Sequence, residues 1–203
     1  MSSKDDREDF YSLSCETIDG KENNLGRYRG NVLLVVNTAS RCHLNQQLKD
    51  LQKLYKRMKP FGLEILAFPC SQFMNQEAHT VYQIDNCYKN KYKVNFQLFR
   101  KIKVNGRNTH PIFQFLKREA PGVLSSTSIK WNFTKFLISH DGKEIKRFSP
   151  NSRIDSMLDD VVKLLEKKMQ ADKTYIKENG ITSKRDFRIE LIDNAIAPQK
   201  AAG

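Results

Sequence analysis

An α/β architecture, a central mixed sheet flanked by helices, is what this sequence predicts, and three observations carry the prediction. Residues 31–40, NVLLVVNTAS, form an unbroken apolar run of strand length, rich in valine, as expected of a strand covered on both faces. A helical segment leads from it to a second such run, LEILAFP at 63–69, so residues 31–69 read as one strand–helix–strand unit with parallel strands and a right-handed crossover. The last third holds two alternating runs around Asp141-Gly142, a hairpin signal, and then an amphipathic helix.

Each element follows from local pattern. The start, MSSKDDRED, is charged and predicts a flexible N-terminus over residues 1–9. Residues 10–30, with Asp19-Gly20 between two short runs, predict an N-terminal β-hairpin. Leu48, Leu51, Leu54 and Met58 recur at helical spacing, and Pro60 and Gly62 end that helix. Pro69 stops the second strand. A helix is expected near 80–91, followed by FQLFRKIKVNG and a short helix, HPIFQFLKRE, introduced by Pro111. In the final helix Ile154, Met157, Leu158, Val161, Leu164 and Leu165 share one face. The order β-α-β, helix, β-hairpin, helix is that of a thioredoxin-like fold. It fills one domain over residues 10–169, with no linker-like tract inside it, and residues 170–203 read as a charged, mostly flexible extension.

Composition narrows the function classes. No run is long and apolar enough to span a bilayer, and the N-terminus has no secretory pattern, so a soluble protein of a reducing, cytoplasmic setting is expected. The four cysteines, at 15, 42, 70 and 87, are too few and too scattered for a disulfide scaffold, and none has metal-ligand spacing. The formal charge of +12 raises nucleic-acid binding, but Lys and Arg are spread along the chain and mixed with acids, as in KRDFRIE. A solvated surface, or attraction to acidic partners and anionic headgroups, accounts for the charge better.

Among the cysteines, Cys42 stands apart. It lies past the carboxyl end of the first buried strand, where sites collect in such sheets and where a following helix offers unpaired N–H groups that favour thiolate. Its neighbours, Ser40, Arg41 and His43, are polar, while Cys15 and Cys70 sit in packing contexts. On spacing alone, a reactive and a packed Cys42 fit about equally well.

Three further segments, FPCSQFMNQE (68–77), VNGRNTHPIFQFLK (104–117) and IKWNFTKFLI (129–138), join VVNTASRC in an order that resembles the glutathione peroxidase family. That family shows NVASxCG, with selenocysteine or cysteine at the reactive position, then FPCNQFGxQE, VNGxxxHP and KWNFxKFL. The similarity spans residues 10–168. It implies a catalytic set of Cys42, Gln76, Trp131 and Asn132, in which amide and indole hydrogens stabilise a sulfur anion and hold the peroxide. It also implies a peroxidase that reduces hydrogen peroxide and organic or lipid hydroperoxides through a Cys42 sulfenic acid. The resemblance further implies no bound cofactor or metal, with glutathione or thioredoxin as the reducing co-substrate.

The match has departures. His43 replaces the usual glycine, and Ser71 and Met74 replace Asn and Gly in the loop that carries Gln76. Cys87 falls one position before the usual resolving cysteine, so a resolving disulfide would require local unwinding. The stretch between the VNG and WNF motifs lacks the insertion of tetrameric members, which implies a monomer of the phospholipid-hydroperoxide type with transient membrane-surface contact. His43, Lys130, Lys135 and Arg147 are candidate contacts for substrate or reductant. A redox sensor or binding protein on the same fold, oxidised once at Cys42 without turnover, is the competing reading.

Overall fold

A short hairpin opens the fold: β1 (Ser14–Glu16) pairs antiparallel with β2 (Glu22–Asn24), with Gly20 at φ 84° in the turn between them. The structure, a computed structural model, describes residues 9–172 together with Asp193. Most of the predicted flexible start and of the extension beyond residue 169 lies outside the described residues. Within them, the Asp9 side chain caps the turn at Phe10–Ser12, accepting from Tyr11 N at 3.2 Å.

The valine-rich run becomes β3 (Val32–Thr38), every residue of it buried. It leads through turns at 39–46 into α1 (Gln47–Met58), and a 3-10 turn at Lys59–Phe61 then ends on Gly62. That glycine is required. Its φ is +94°, a left-handed backbone that strains any residue with a side chain. The LEILAFP run forms β4 (Leu63–Pro69), parallel to β3 in register from Val32↔Leu63 to Thr38↔Pro69.

The helix expected near 80–91 is two structures. Thr80 and Gln83 form a capping box that starts α2 (Val81–Asn86), and a π-helical turn then runs over Cys87–Lys91. FQLFRKIKVNG contributes only the two-residue β5 (Gln97–Leu98), parallel to β4. His110 caps α3 (Pro111–Glu119); β6 (Lys135–Ile138) and β7 (Ile145–Phe148) form the predicted hairpin; and α4 runs over Ile154–Ala171.

The sheet order is β5-β4-β3-β6-β7, with β6 antiparallel to β3, so β3 is central and the sheet is mixed. Strand alternation divides the core. Leu34 and Val36 of β3 face Leu48, Leu51 and Leu54 of α1 and Val161 and Leu165 of α4. Leu33 and Val35 face Ile112, Phe113 and Leu116 of α3 and the aromatic N-terminal segment. This is the thioredoxin-like fold that the element order predicts. No described helix is long and apolar enough to cross a membrane.

Candidate active site

Three loops meet past the carboxyl ends of β3 and β4. Asn37, the lone amide in the buried run of β3, organises one of them. Its Nδ2 donates to Trp131 O at 3.2 Å, its Oδ1 accepts from Thr134 N at 3.1 Å, and its carbonyl accepts from Phe133 N at 2.6 Å. These bonds fasten the KWNF turn to the end of β3, with Phe133 forced to φ 66°. The second loop is tied by Arg41 N, which donates to Gln76 O at 2.9 Å, and by Asn132 Nδ2, which donates to Gln76 Oε1 at 3.1 Å. Cys42, Gln76, Trp131 and Asn132, spread over ninety residues of sequence, thus share one neighbourhood.

Cys42 is fully buried and packs in the same core layer as Trp131 and Leu44. The expected donation from a helix N-terminus takes a different form: α1 begins five residues later, and the N–H that reaches the sulfur is that of Leu44, at 3.4 Å. His43 Nδ1 lies 3.9 Å from the sulfur. Gln76, Trp131 and Asn132 form no hydrogen bond to the sulfur among the described residues. Instead, Trp131 Nε1 and Asn132 Oδ1 are buried with no partner among the described residues. A buried unpaired polar atom costs about 1–3 kcal/mol, so an indole donor and an amide acceptor from adjacent residues are both free to engage a polar ligand. Cys15 and Cys70 are packing residues, as their sequence contexts predict: burial pushes the Cys15 thiol up to about 12 and raises that of Cys70 as well.

The loop that carries Gln76 bears the two substitutions noted above. Met74, where the family motif has glycine, and Asn75 both adopt left-handed backbone, φ 52° and 51°, which explains the glycine and shows that a side chain is tolerated there under strain. Met74 itself points out, 77% exposed. The loop is held from beneath by Glu77, which is fully buried and accepts from Ser40 N at 3.1 Å, Ala78 N at 2.8 Å, the Ser40 hydroxyl and the Tyr88 hydroxyl at 2.7 Å. Tyr88 OH also contacts Thr38 Oγ1 at 2.8 Å, and Tyr92 OH donates to Ser40 O at 3.2 Å. Sequence reading missed Asn37 and Glu77 as supports. Their signal was a polar side chain inside an apolar run and an acid beside the candidate Gln76.

Comparison with known proteins decides the family. A sequence model described as "Glutathione peroxidase" matches residues 10–117. The chain is 49% identical over 156 residues to a "Glutathione peroxidase" of Lactococcus lactis, covering 77% of this chain and 99% of that one. This chain belongs to the glutathione peroxidase family. It is therefore a thiol-dependent peroxidase, an oxidoreductase acting on hydroperoxides. It is also 42% identical over 161 residues to the "Hydroperoxy fatty acid reductase gpx1" of Synechocystis, covering 77% and 95%. The crystal structure of Trgpx in apo form superposes with a TM-score of 0.66 at 34% identity, covering 78% of this chain and 96% of that one.

The candidate contacts of this peroxidase divide. Lys130 and His43 are exposed beside Trp131 and Cys42. Lys135 is not a surface contact: it is fully buried, and its ammonium donates to the carbonyls of Ser149, Pro150 and Ser152, at 3.5, 3.1 and 2.9 Å, because β6 starts with its side chain turned under the 149–152 loop. The Arg147 guanidinium is half-buried and engaged with Ser126 O at 3.4 Å and Ser128 O at 2.7 Å. It holds the segment leading to Trp131 more than it offers a free charge. Cys87 is half-buried at the start of the π-helical turn, against the core layer that contains Cys42.

Proposed function

We propose that this peroxidase reduces hydrogen peroxide and organic and lipid hydroperoxides at Cys42, with Gln76, Trp131 and Asn132 as donors. The Cys42 thiolate attacks the outer peroxide oxygen, the O–O bond breaks, and a sulfenic acid forms as water or an alcohol departs. The observation that carries this reading is the buried, unpaired indole N–H of Trp131 beside the Cys42 loop. A donor without a partner, in the core layer that holds the sulfur, is what a developing anion needs.

Because Cys42 is covered in this arrangement, a hydroperoxide reaches it as rim side chains move; His43 and Trp131, ring centroids 6.4 Å apart, are the rim. Lipid substrates are supported by exposed Val123 and Leu124 just upstream of Trp131, beside a cleft of about 260 Å³ lined by Val123, Lys130, Arg147 and Phe148. The name of the Synechocystis relative agrees with that class. The enzyme acts as a cytoplasmic monomer that touches membrane surfaces transiently and is reduced by glutathione or thioredoxin. Where thioredoxin serves, the Cys87 thiol attacks the Cys42 sulfenic acid, releasing water and leaving a disulfide. Cys87 opens a π-helical turn, an irregularity of a kind that is frequent at functional sites.

The test is consumption of tert-butyl hydroperoxide by wild type and C42S with each reductant, followed by intact mass after one equivalent of peroxide. Steady turnover by wild type alone is expected, with loss of two hydrogens if Cys87 resolves and an added oxygen or glutathione if it does not. Turnover by C42S, or a single stoichiometric oxidation with no turnover, overturns the reading.

A further inference from the structure

We propose that His43 is the proton carrier of the peroxide-reducing step, and that its imidazole delivers the Cys42 thiol proton to the oxygen leaving the hydroperoxide. The proposal rests on the peroxidase reading of Cys42 and assigns a residue that the family motif, with glycine at this position, does not supply.

The geometry is specific. His43 Nδ1 lies 3.9 Å from Cys42 Sγ, at the long end of contact for sulfur, and such contacts tighten when substrate is bound. The ring is exposed and not wedged into the core, so packing does not explain its orientation. It also stands near the unpaired donor of the site, 6.4 Å from the Trp131 ring.

Chemistry separates its role from those of its neighbours. The amides of Gln76 and Asn132 and the indole of Trp131 can donate hydrogen bonds to an anion, but they do not release a proton in the physiological range. A departing alkoxide or hydroxide is a strong base and needs the proton itself. Imidazole is the side chain that takes and gives protons near neutrality.

The step balances. Nδ1 takes the thiol proton, leaving thiolate and imidazolium. The thiolate forms an S–O bond to the outer oxygen, which keeps its own hydrogen, and the O–O bond breaks with its electron pair going to the inner oxygen. The imidazolium protonates that oxygen. Sulfur is oxidised to sulfenic acid, the peroxide is reduced to alcohol, and His43 ends neutral, as it began.

The experiment compares oxidants whose leaving groups differ in basicity. Full-length wild type, H43G and H43Q are mixed with tert-butyl hydroperoxide or with peracetic acid, and Cys42 oxidation is followed through the fluorescence of Trp131, the chain's sole tryptophan. tert-Butoxide needs a proton to leave, whereas acetate does not. With tert-butyl hydroperoxide both variants are expected to slow by about 10²-fold, the usual scale of general-acid catalysis, and to lose at least about tenfold less with peracetic acid. Because both oxidants meet the same sulfur, any change in thiolate fraction cancels in that ratio. H43Q keeps size and a donor but no transferable proton, so it should behave as H43G does. Equal losses with the two oxidants, no loss with either, or a wild-type ratio in H43Q overturns the role of His43. Failure of either oxidant to oxidise Cys42 in wild type would instead overturn the peroxidase reading itself.

Discussion

Lys135 offers the sharpest test of the packing around the site. Its side chain is fully buried, and burial lowers its pKa from 10.5 to about 7, while three carbonyl acceptors pull the other way by holding the ammonium. If burial dominates, the folded chain binds fewer protons than the unfolded chain between about pH 7 and pH 10.5, so stability must rise with pH across that window. From pH 7 to pH 9 the gain is about 2 kcal/mol: two pH steps of about 1.4 kcal/mol each, reduced because the folded lysine is still half protonated at the lower pH. Urea unfolding of wild type and K135M at pH 7 and pH 9, in reductant, reads this directly. The wild-type difference between the two pH values should exceed that of K135M by about 2 kcal/mol, since all other groups are shared. Parallel pH dependences would refute the reasoning and mean that the Ser149, Pro150 and Ser152 carbonyls fully offset desolvation. K135M should also keep its KM for hydroperoxide, whereas a substrate-binding lysine would raise it.

Other outcomes are equally definite. M74G should stabilise the protein by about 0.5–1 kcal/mol, because relief of a left-handed backbone at φ 52° exceeds the entropy cost of glycine; a lower melting temperature contradicts this. W131F removes an N–H that has no partner among the described residues, so unfolding should change by less than about 1 kcal/mol while Cys42 oxidation slows about 10²-fold. A large stability loss without a rate loss would make Trp131 a packing residue. E77Q turns one acceptor into a donor that faces Ser40 N or Ala78 N, and should cost about 2–3 kcal/mol in urea unfolding. C15S should leave peroxide turnover at the wild-type rate, since burial keeps that thiol protonated.

Repeat patterns along the chain were enough to specify most of the elements. Val32–Thr38 and Leu63–Pro69 are buried on both faces and leave no polar stripe, the leucines of α1 recur every third or fourth residue, and Asp141-Gly142 permits the turn between β6 and β7. Those signals are short-range and survive without any knowledge of neighbours. The π turn at Cys87–Lys91 left no such trace, because one extra residue in a helical turn keeps the same local composition.

The motifs around Cys42, Gln76 and the Trp131-Asn132 pair named the family and the chemical groups of the candidate site. Only the tertiary structure decided how those groups stand: that Leu44 supplies the N–H on the sulfur, that Asn132 bonds Gln76 while the Trp131 indole is left open, and that Lys135 turns inward. The reason is that three loops converge through strand order. β3 lies between β4 and β6, so residues 41, 76 and 131 become neighbours by sheet pairing, and no periodicity within any one segment can express a contact that depends on which strand lies beside which.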